Sequence, residues 1–461
     1  MRVRMITAEY GNVAKTGGLA DMVSGLARWL QGRGHDVEVL LPDYGTGDGG
    51  APPDFSRPQW DLNDEVHDGI LLRRVRCGAY FSDPAIYLGD ERDAARFLMF
   101  GYAARALTHT LRPAPDVIHL HDWHTTAATA IAPSATAHEP RSVLTIHNIG
   151  YQGIFEREAL PAWSDPAVTD ALTMPGRRDQ VNFLAAGIRQ ADILTTVSPT
   201  HASEILTPAL GMGLDGLLGT RSGDLHGILN GVDYEYWNPA TDALIPARYD
   251  VSNIEHKRKN RTALRDALEL PSVGDGPLVA MVTRLAGQKG IDLVLGALPD
   301  LFAERAFDCV VLGTGEARYE QALLALADAH PDRFHACVAH DESLAHRLLA
   351  AADILLVPSR YEPCGLTQLY AMRYGTIPVV RATGGLADTV EHFDPGTGAG
   401  TGVVFRDADV TGLSWGLRQA LDWYGEPRAW QGLVRNAMAA DFSWERQGPH
   451  YERLYATLTD A

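Results

Sequence analysis

The 461-residue chain predicts two doubly wound α/β domains, each a parallel sheet covered by helices on both faces. Three observations carry the prediction. Short apolar stretches of strand character alternate with helical segments almost throughout. The alternation runs as two series, one on each side of residues 240–275. The hexapeptide TGGLAD occurs at residues 16–21 and again at 383–388, once in each series. Six matched residues with two adjacent glycines imply either a duplicated structural unit or two lobes doing the same physical job on one ligand.

The elements follow in chain order. RVRMITAE (2–9) reads as the first strand, and after a loop Leu19, Met22, Val23, Leu26 and Leu30 fall at helical spacing. DVEVLLP (36–42), DVIHLHD (116–122), SVLTIHN (142–148) and DILTTVS (192–198) continue the first series. The stretch from WNPATDALIP (237–246) to LPSVGDGP (270–277) is rich in proline, glycine and polar residues and reads as the linker. PLVAMVTR (277–284), DCVVLGTGE (308–316), DILLVPSR (353–360), IPVVRATGG (377–385) and TGVVFRD (401–407) form the second series.

Composition narrows the function classes. The length calls for at least two cores, and 46% hydrophobic with 21% charged residues is ordinary for a globular protein. A formal charge of −18 repels nucleic acid, so a phosphate ligand would need a local cationic pocket. Cys77, Cys309, Cys337 and Cys364 lack CxxC spacing and histidine partners, and read as reduced thiols. The N-terminus reads as a strand rather than a signal peptide. No apolar run is long enough for a membrane helix. The expected location is the cytoplasm, with no membrane partner.

Open α/β sheets bind ligands beyond the carboxyl ends of their strands, which directs attention to the strand-end loops. In both TGG turns the glycines can bring backbone amides to a phosphate at a helix N-terminus; a plain strand-to-helix turn is the alternative for either copy. Lys15 precedes the first turn, whereas the second has Ala382 there and Arg381 one place earlier. Arg284 and Lys289 share one loop beside Gly287 and Gly290. Two cations there suit a departing diphosphate, against the alternative of solvated surface charge. In VPSRYEPCGLTQLYAMRYG a strand ends at Val357, a loop presents Glu362, and a helix is expected from Gly365 to Gly375. The amides of Gly365, Leu366 and Thr367 can hold phosphate. Glu362 then faces the attached group, where a carboxylate binds sugar hydroxyls or stabilises positive charge at an anomeric carbon. The competing role is a helix-dipole carboxylate worth about 0.3–1 kcal/mol. In the first half Asp122, His124, His147 and Asn148 stand at strand ends. His119, His121, His124 and His147 invite a metal reading. His119 and His121 alternate along a strand with no matching carboxylate cluster, so no metal is expected.

KTGGLAD, HLHDWH, TIHNIGYQG, ILNGVDYEYWNP, TRLAGQKGIDLV and PSRYEPCGLTQLYAMRYGTIPVVRATGGLADTV together resemble the bacterial glycogen synthase and plant starch synthase family, from residue 3 to about 446. The resemblance implies a GT-B fold: Rossmann-like domains over 1–245 and 246–440 facing across a deep cleft, and a helix over 441–461 crossing back to the first. It implies transfer of glucose from ADP-glucose to the non-reducing end of an α-1,4-glucan, with retention and no cofactor or metal. Lys15 matches the family's donor-phosphate lysine, Gly17 and Gly18 its turn, and Asp122 and His147 the positions around the glucose. Arg284 and Lys289 match the phosphate clamp, Glu362 the carboxylate at the sugar, and Cys364, Gly365, Leu366 and Thr367 the phosphate and sugar loop. Cleft closure during turnover is a further expectation. Three features depart from or qualify the pattern. The loop GAYFSDPAIYLGD is short where the family has a longer tyrosine-bearing one. His340 stands where an aromatic residue usually lies near the adenine. Tyr370 occupies the position of a second glutamate in other retaining enzymes. The alternatives are a UDP-glucose-dependent transferase, one with another acceptor, or a non-catalytic glucan-binding relative.

Overall fold

A computed structural model describes residues 1–45, 60–131, 139–174, 176–270 and 276–459. Residues 271–275 of the expected linker and the last two residues lie outside these. The chain divides into two compact units, Met1–Gly231 with Trp444–Ala461, and Val232–Ser443.

The first unit contains β1 (Arg2–Ile6), β2 (Asp36–Pro42), β3 (Asp61–His67), β4 (Ile70–Arg76), β5 (Val117–His121), β6 (Arg141–Ile146), β7 (Ile154–Glu156), β8 (Thr173–Met174), β9 (Arg177–Asn182), β10 (Ile193–Thr196) and β11 (Leu225–Gly227). Its main sheet has the order β11-β10-β6-β5-β1-β2-β4-β3. All neighbours are parallel except the β3–β4 edge hairpin. Val3 pairs with Val37 on one side and Val117 on the other, which places β1 centrally with Val3, Met5 and Ile6 buried. Such burial on both sheet faces is what makes a strand a continuous apolar run. A small antiparallel sheet, β7-β9-β8, lies apart.

The second unit contains β12 (Leu278–Val282), β13 (Asp308–Gly313), β14 (Phe334–Val338), β15 (Ile354–Val357), β16 (Ile377–Arg381) and β17 (Val403–Phe405). They form an all-parallel sheet in the order β14-β13-β12-β15-β16-β17. Each unit therefore starts in the middle, adds strands outward on one side, and then jumps back to the other. The jump creates a switch point between β1 and β5 in the first unit and between β12 and β15 in the second. Loops leaving adjacent strands diverge there and open a crevice.

The first division falls at Gly231–Val232, ahead of the expected residue 245, and WNPATDALIP is not a linker. Trp237 lies between the rings of His346 (3.8 Å) and Tyr370 (4.0 Å). Asp242 accepts hydrogen bonds from His346 Nδ1 (2.8 Å) and Tyr374 (2.6 Å). Ile245 and Tyr249 join the same core. Aromatic burial outweighs the loop-like composition here. The helix Trp444–Thr459 belongs to the first unit: Trp444, Tyr451 and Tyr455 are in its core. Its fit is close, because a Cβ at Gly25 would stand 2.1 Å from Trp444 and one at Gly448 2.3 Å from Trp29. Among the described residues no helix is long and apolar enough to cross a membrane, and all four cysteines are free thiols.

Candidate active site

The loop after β1 carries the first TGG turn, whose organiser is a residue without a sequence signature. Glu9 is buried. Its Oε2 accepts from the amides of Thr16 (2.7 Å) and Gly17 (3.0 Å), and its Oε1 from Thr16 Oγ1 (2.7 Å) and Tyr87 OH (2.6 Å). Gly17 caps the helix Gly18–Gly32. The anion favoured at that helix N-terminus is here the protein's own carboxylate, which takes up the amide of Gly17, one of the two glycines expected to face a phosphate. Lys15, next to the turn, has its Nζ 2.8 Å from Asp21. Tyr87 stacks on His124 (4.7 Å), which also meets Phe97 and Trp123. His124 is thus buried in an aromatic cluster.

At the neighbouring strand end, Asp122 follows β5 with φ +58° and ψ −178°. This region is almost reserved for glycine and costs on the order of 1–3 kcal/mol, which only a well-determined surrounding can sustain. Asp122 Oδ1 accepts from the amides of His147 (2.7 Å) and Asn148 (3.4 Å). Burial outweighs these bonds and pushes its carboxyl up to about 7. His147, after β6, is buried and its Nε2 lies 3.0 Å from His121 Nδ1. Burial pushes His147 down to about 3, so the ring is neutral near pH 7. His119 engages Thr145 Oγ1 (2.6 Å) and Tyr455 OH (2.7 Å). Among the described residues no group of three His, Cys, Asp or Glu side chains is placed to hold a metal.

At the second switch point, the loops after β12 and β15 are tied together. Lys289 Nζ donates to Glu362 Oε2 (2.6 Å), which also accepts from Ser359 Oγ (2.8 Å). Gln288 Nε2 donates to the Tyr361 carbonyl (3.0 Å) and the Arg360 amide to the Gln288 carbonyl (2.7 Å). Arg360 grips both oxygens of Asp292 at 2.8 and 2.7 Å. Gly290 has φ +70°, and a Cβ there would lie 2.4 Å from the Pro358 carbonyl; only glycine permits this approach. The Glu362 side chain is buried in this cationic loop contact rather than capping a helix. Arg284 is exposed at the end of β12.

The helix expected from Gly365 begins at Thr367 and ends at Arg373. Gly365 has φ +71°, and a Cβ there would meet Gln368 Oε1 at 2.4 Å, so the chain turns left-handed before it coils. Buried Gln368 donates to the carbonyls of Cys364 (3.1 Å) and Gly365 (2.8 Å), fixing the segment that includes Leu366. Among the described residues no hydrogen bond engages the amides of Gly365, Leu366 or Thr367. The second TGG turn supports this loop: the Gly385 amide donates to the carbonyls of Glu362 (3.0 Å) and Pro363 (3.2 Å). Arg381 Nε donates to the Ser359 carbonyl (2.8 Å). Tyr370 stacks on Trp237, and His340 is exposed. Of the residues expected from sequence, the structure joins Lys289 to Glu362 and His147 to Asp122. Glu9, His121, Ser359, Gln288 and Gln368 organise the loops; the last four stand inside the motifs HLHDWH, TRLAGQKGIDLV and PSRYEPCGLTQLY without a role assigned from sequence, and Glu9 stands outside all of them.

Two sheets with the same central start and switch point, each presenting polar or charged residues there, match two families in tandem. Residues 2–220 match the starch synthase catalytic domain, and residues 265–432 match the glycosyl transferases group 1. The molecule is a two-domain glycosyltransferase. It is 44% identical to a glycogen synthase of Anaeromyxobacter sp. (strain Fw109-5) and 37% to one of Geobacillus stearothermophilus. The matches cover 99% of this chain in both cases, and 99% and 98% of the relatives. The catalytic domain of starch synthase IV from Arabidopsis thaliana, solved with ADP and acarbose, superposes with a TM-score of 0.88 at 32% identity, covering 100% of this chain and 99% of that one. The chain belongs to the bacterial glycogen synthase and plant starch synthase family, and is a glucosyltransferase. A sucrose-phosphate synthase from Thermosynechococcus elongatus shares the fold at 20% identity and a TM-score of 0.65.

Proposed function

We propose that this enzyme transfers glucose from ADP-glucose to the non-reducing end of an α-1,4-glucan, retaining the anomeric configuration. The observation that carries the reading is the Lys289–Glu362–Ser359 contact at the second switch point. It sets a buried carboxylate beside a cation where a nucleotide-linked sugar is expected. An ammonium has three N–H donors, so Lys289 can hold Glu362 and a phosphate oxygen together. Arg284 and the amides of Gly365, Leu366 and Thr367 add donors for the diphosphate, with Cys364 in the same loop. By the family resemblance, Lys15 is a further cation for the donor's phosphate side. Glu362 stabilises positive character at the anomeric carbon as the bond to phosphate breaks. Asp122 and His147 bind the sugar hydroxyls. ADP bound to the Arabidopsis starch synthase supports the adenine nucleotide, and the glycogen synthase relatives support the glucan.

The test is nucleotide release from ADP-glucose or UDP-glucose with glycogen, with and without excess EDTA. Turnover with ADP-glucose that survives EDTA is expected. A preference for UDP-glucose overturns the donor assignment, and no release from either overturns the activity. Glu362→Gln keeps the side chain's shape and deletes its charge. It should lower turnover about a hundredfold or more while leaving ADP affinity, read by calorimetry, nearly unchanged. Near-normal turnover would remove Glu362 from the chemistry.

A further inference from the structure

We infer that His121 is a positioning residue that fixes His147 in the tautomer protonated on Nδ1, so that a ring N–H donor faces the ligand. This rests on the reading that His147 works at the donor sugar. His121 is fully buried, and its Nδ1 lies 3.0 Å from His147 Nε2. Burial keeps both rings neutral by pushing each well below the ordinary histidine range. Two neutral rings meeting nitrogen to nitrogen share one proton between them, which leaves two arrangements. If His147 Nε2 carries it, the proton of His121 must sit on its own Nε2. That atom is buried and has no hydrogen-bond partner, and an orphaned N–H donor is the rarer and costlier defect. If His121 Nδ1 carries it, His121 Nε2 is a bare lone pair and no donor is stranded. His147 then accepts at Nε2, and its proton is forced onto Nδ1, the nitrogen that His121 does not engage.

The scaffold behind His121 keeps this choice fixed. His119 packs against it with ring centroids 4.1 Å apart and the planes tilted by 38°. His119 is itself held at both nitrogens by Thr145 and by Tyr455 of the C-terminal helix. The backbone of His147 is anchored separately, its amide donating to Asp122 Oδ1. His121 and Asp122 are consecutive residues at the end of β5, so one strand end sets both the backbone and the side chain of His147.

The test compares two variants. In His121→Asn the side-chain amide places an N–H donor where Nδ1 stood; in His121→Leu the volume remains and the donor is lost. His121→Leu should lower kcat on the order of tenfold or more, and His121→Asn should recover most of that loss. KM for ADP-glucose should move less than kcat in both. The ¹⁵N signals of the His147 ring, assigned by their loss in His147→Ala, report the tautomer directly in the ligand-free enzyme. Wild type should show a protonated Nδ1 and a bare Nε2. His121→Leu should show exchange between tautomers. A wild-type ring protonated on Nε2, or a His121→Leu enzyme with unchanged kcat, overturns the inference. Normal turnover in His147→Ala would instead overturn the role given to His147, while the tautomer result would stand.

Discussion

The same six residues, TGGLAD, take two conformations in the two halves of this chain. In the first copy Gly17 is extended at φ −166°, and a Cβ there would meet nothing within 4 Å. In the second copy the matching Gly384 is left-handed at φ +44°. The next glycine, Gly385, has the Cys364 carbonyl 2.1 Å from where its Cβ would stand. Both turns lean on a glutamate, by different ends. The first uses the carboxylate of Glu9, and the second uses the main-chain carbonyl of Glu362. That difference leaves the Glu362 carboxylate available to Lys289, while the Glu9 carboxylate is consumed in holding a loop. A repeated motif therefore specifies a sharp entry into a helix, and its surroundings decide which glutamate remains for chemistry.

The contrast can be tested by substitution, starting with the largest effect. Lys15 has no counterpart in the second copy. Lys15→Ala should cost about 2.7–4 kcal/mol of transition-state stabilisation, roughly a hundredfold or more in turnover. Steady-state rates with ADP-glucose check it, and a loss below threefold would make Lys15 a surface charge.

The two switch points also treat their acids differently: Glu362 has a lysine, whereas Asp122 is buried with amides only. A carboxyl that titrates near 7 when folded and about 3.9 when unfolded holds its proton longer in the native state. The folded chain binds more protons across that window, so this group's contribution makes stability fall as pH rises from about 4 to 7 and level off above. Asp122→Asn keeps the side chain's size and cannot ionise. Its stability relative to wild type should increase across the window, by an amount approaching about 1.4 kcal/mol per unit of pH. Urea unfolding at pH 5 and pH 8 measures it; equal differences at both would show that Asp122 titrates normally.

Smaller effects should separate the glycines. Gly385→Ala forces a carbonyl to move and should destabilise by about 1–3 kcal/mol, with reduced turnover because the Glu362 loop shifts with it. Gly17→Ala meets open space on an extended backbone and should change stability by less than about 0.5 kcal/mol. Thermal unfolding of the pair decides the matter, and equal sensitivity would contradict the asymmetry.

The central strands were legible in the sequence because burial on both faces writes a continuous apolar run, as in Val39 to Leu41. The β3–β4 hairpin was not. Its strands carry Asp64, Glu65, Arg73 and Arg74, which pair across the surface and with Asp43 and Glu38. Edge strand β14 was missed because four of its five residues are only partly buried. Charged and glycine-flanked strand ends made the candidate residues readable. Among their supports, a lone Glu9 has no spacing to read, and Gln368 lies within EPCGLTQLY where spacing alone assigns it no partner. The Lys289–Glu362 contact joins residues 73 apart in sequence. Strand order brings them together, and order is a property of the sheet. WNPATDALIP misled because loop-like composition concealed Trp237, whose stacking decides its fate.

The return of the helix Trp444–Thr459 to the first core has a consequence for biosynthesis. The second unit is one uninterrupted stretch of chain, whereas the first is assembled from two separated pieces. On the ribosome the first unit's sheet emerges early but lacks Trp444, Tyr451 and Tyr455 until more than two hundred further residues, Val232–Ser443, have been made. Domains fold as units when their sequence is complete, so the order of completion is reversed relative to the order of synthesis. Until then the surface that receives those aromatic rings is bare, and His119 has no tyrosine beside it. A chain halted at Ser443 should accordingly yield a protease-resistant second unit joined to a protease-sensitive first.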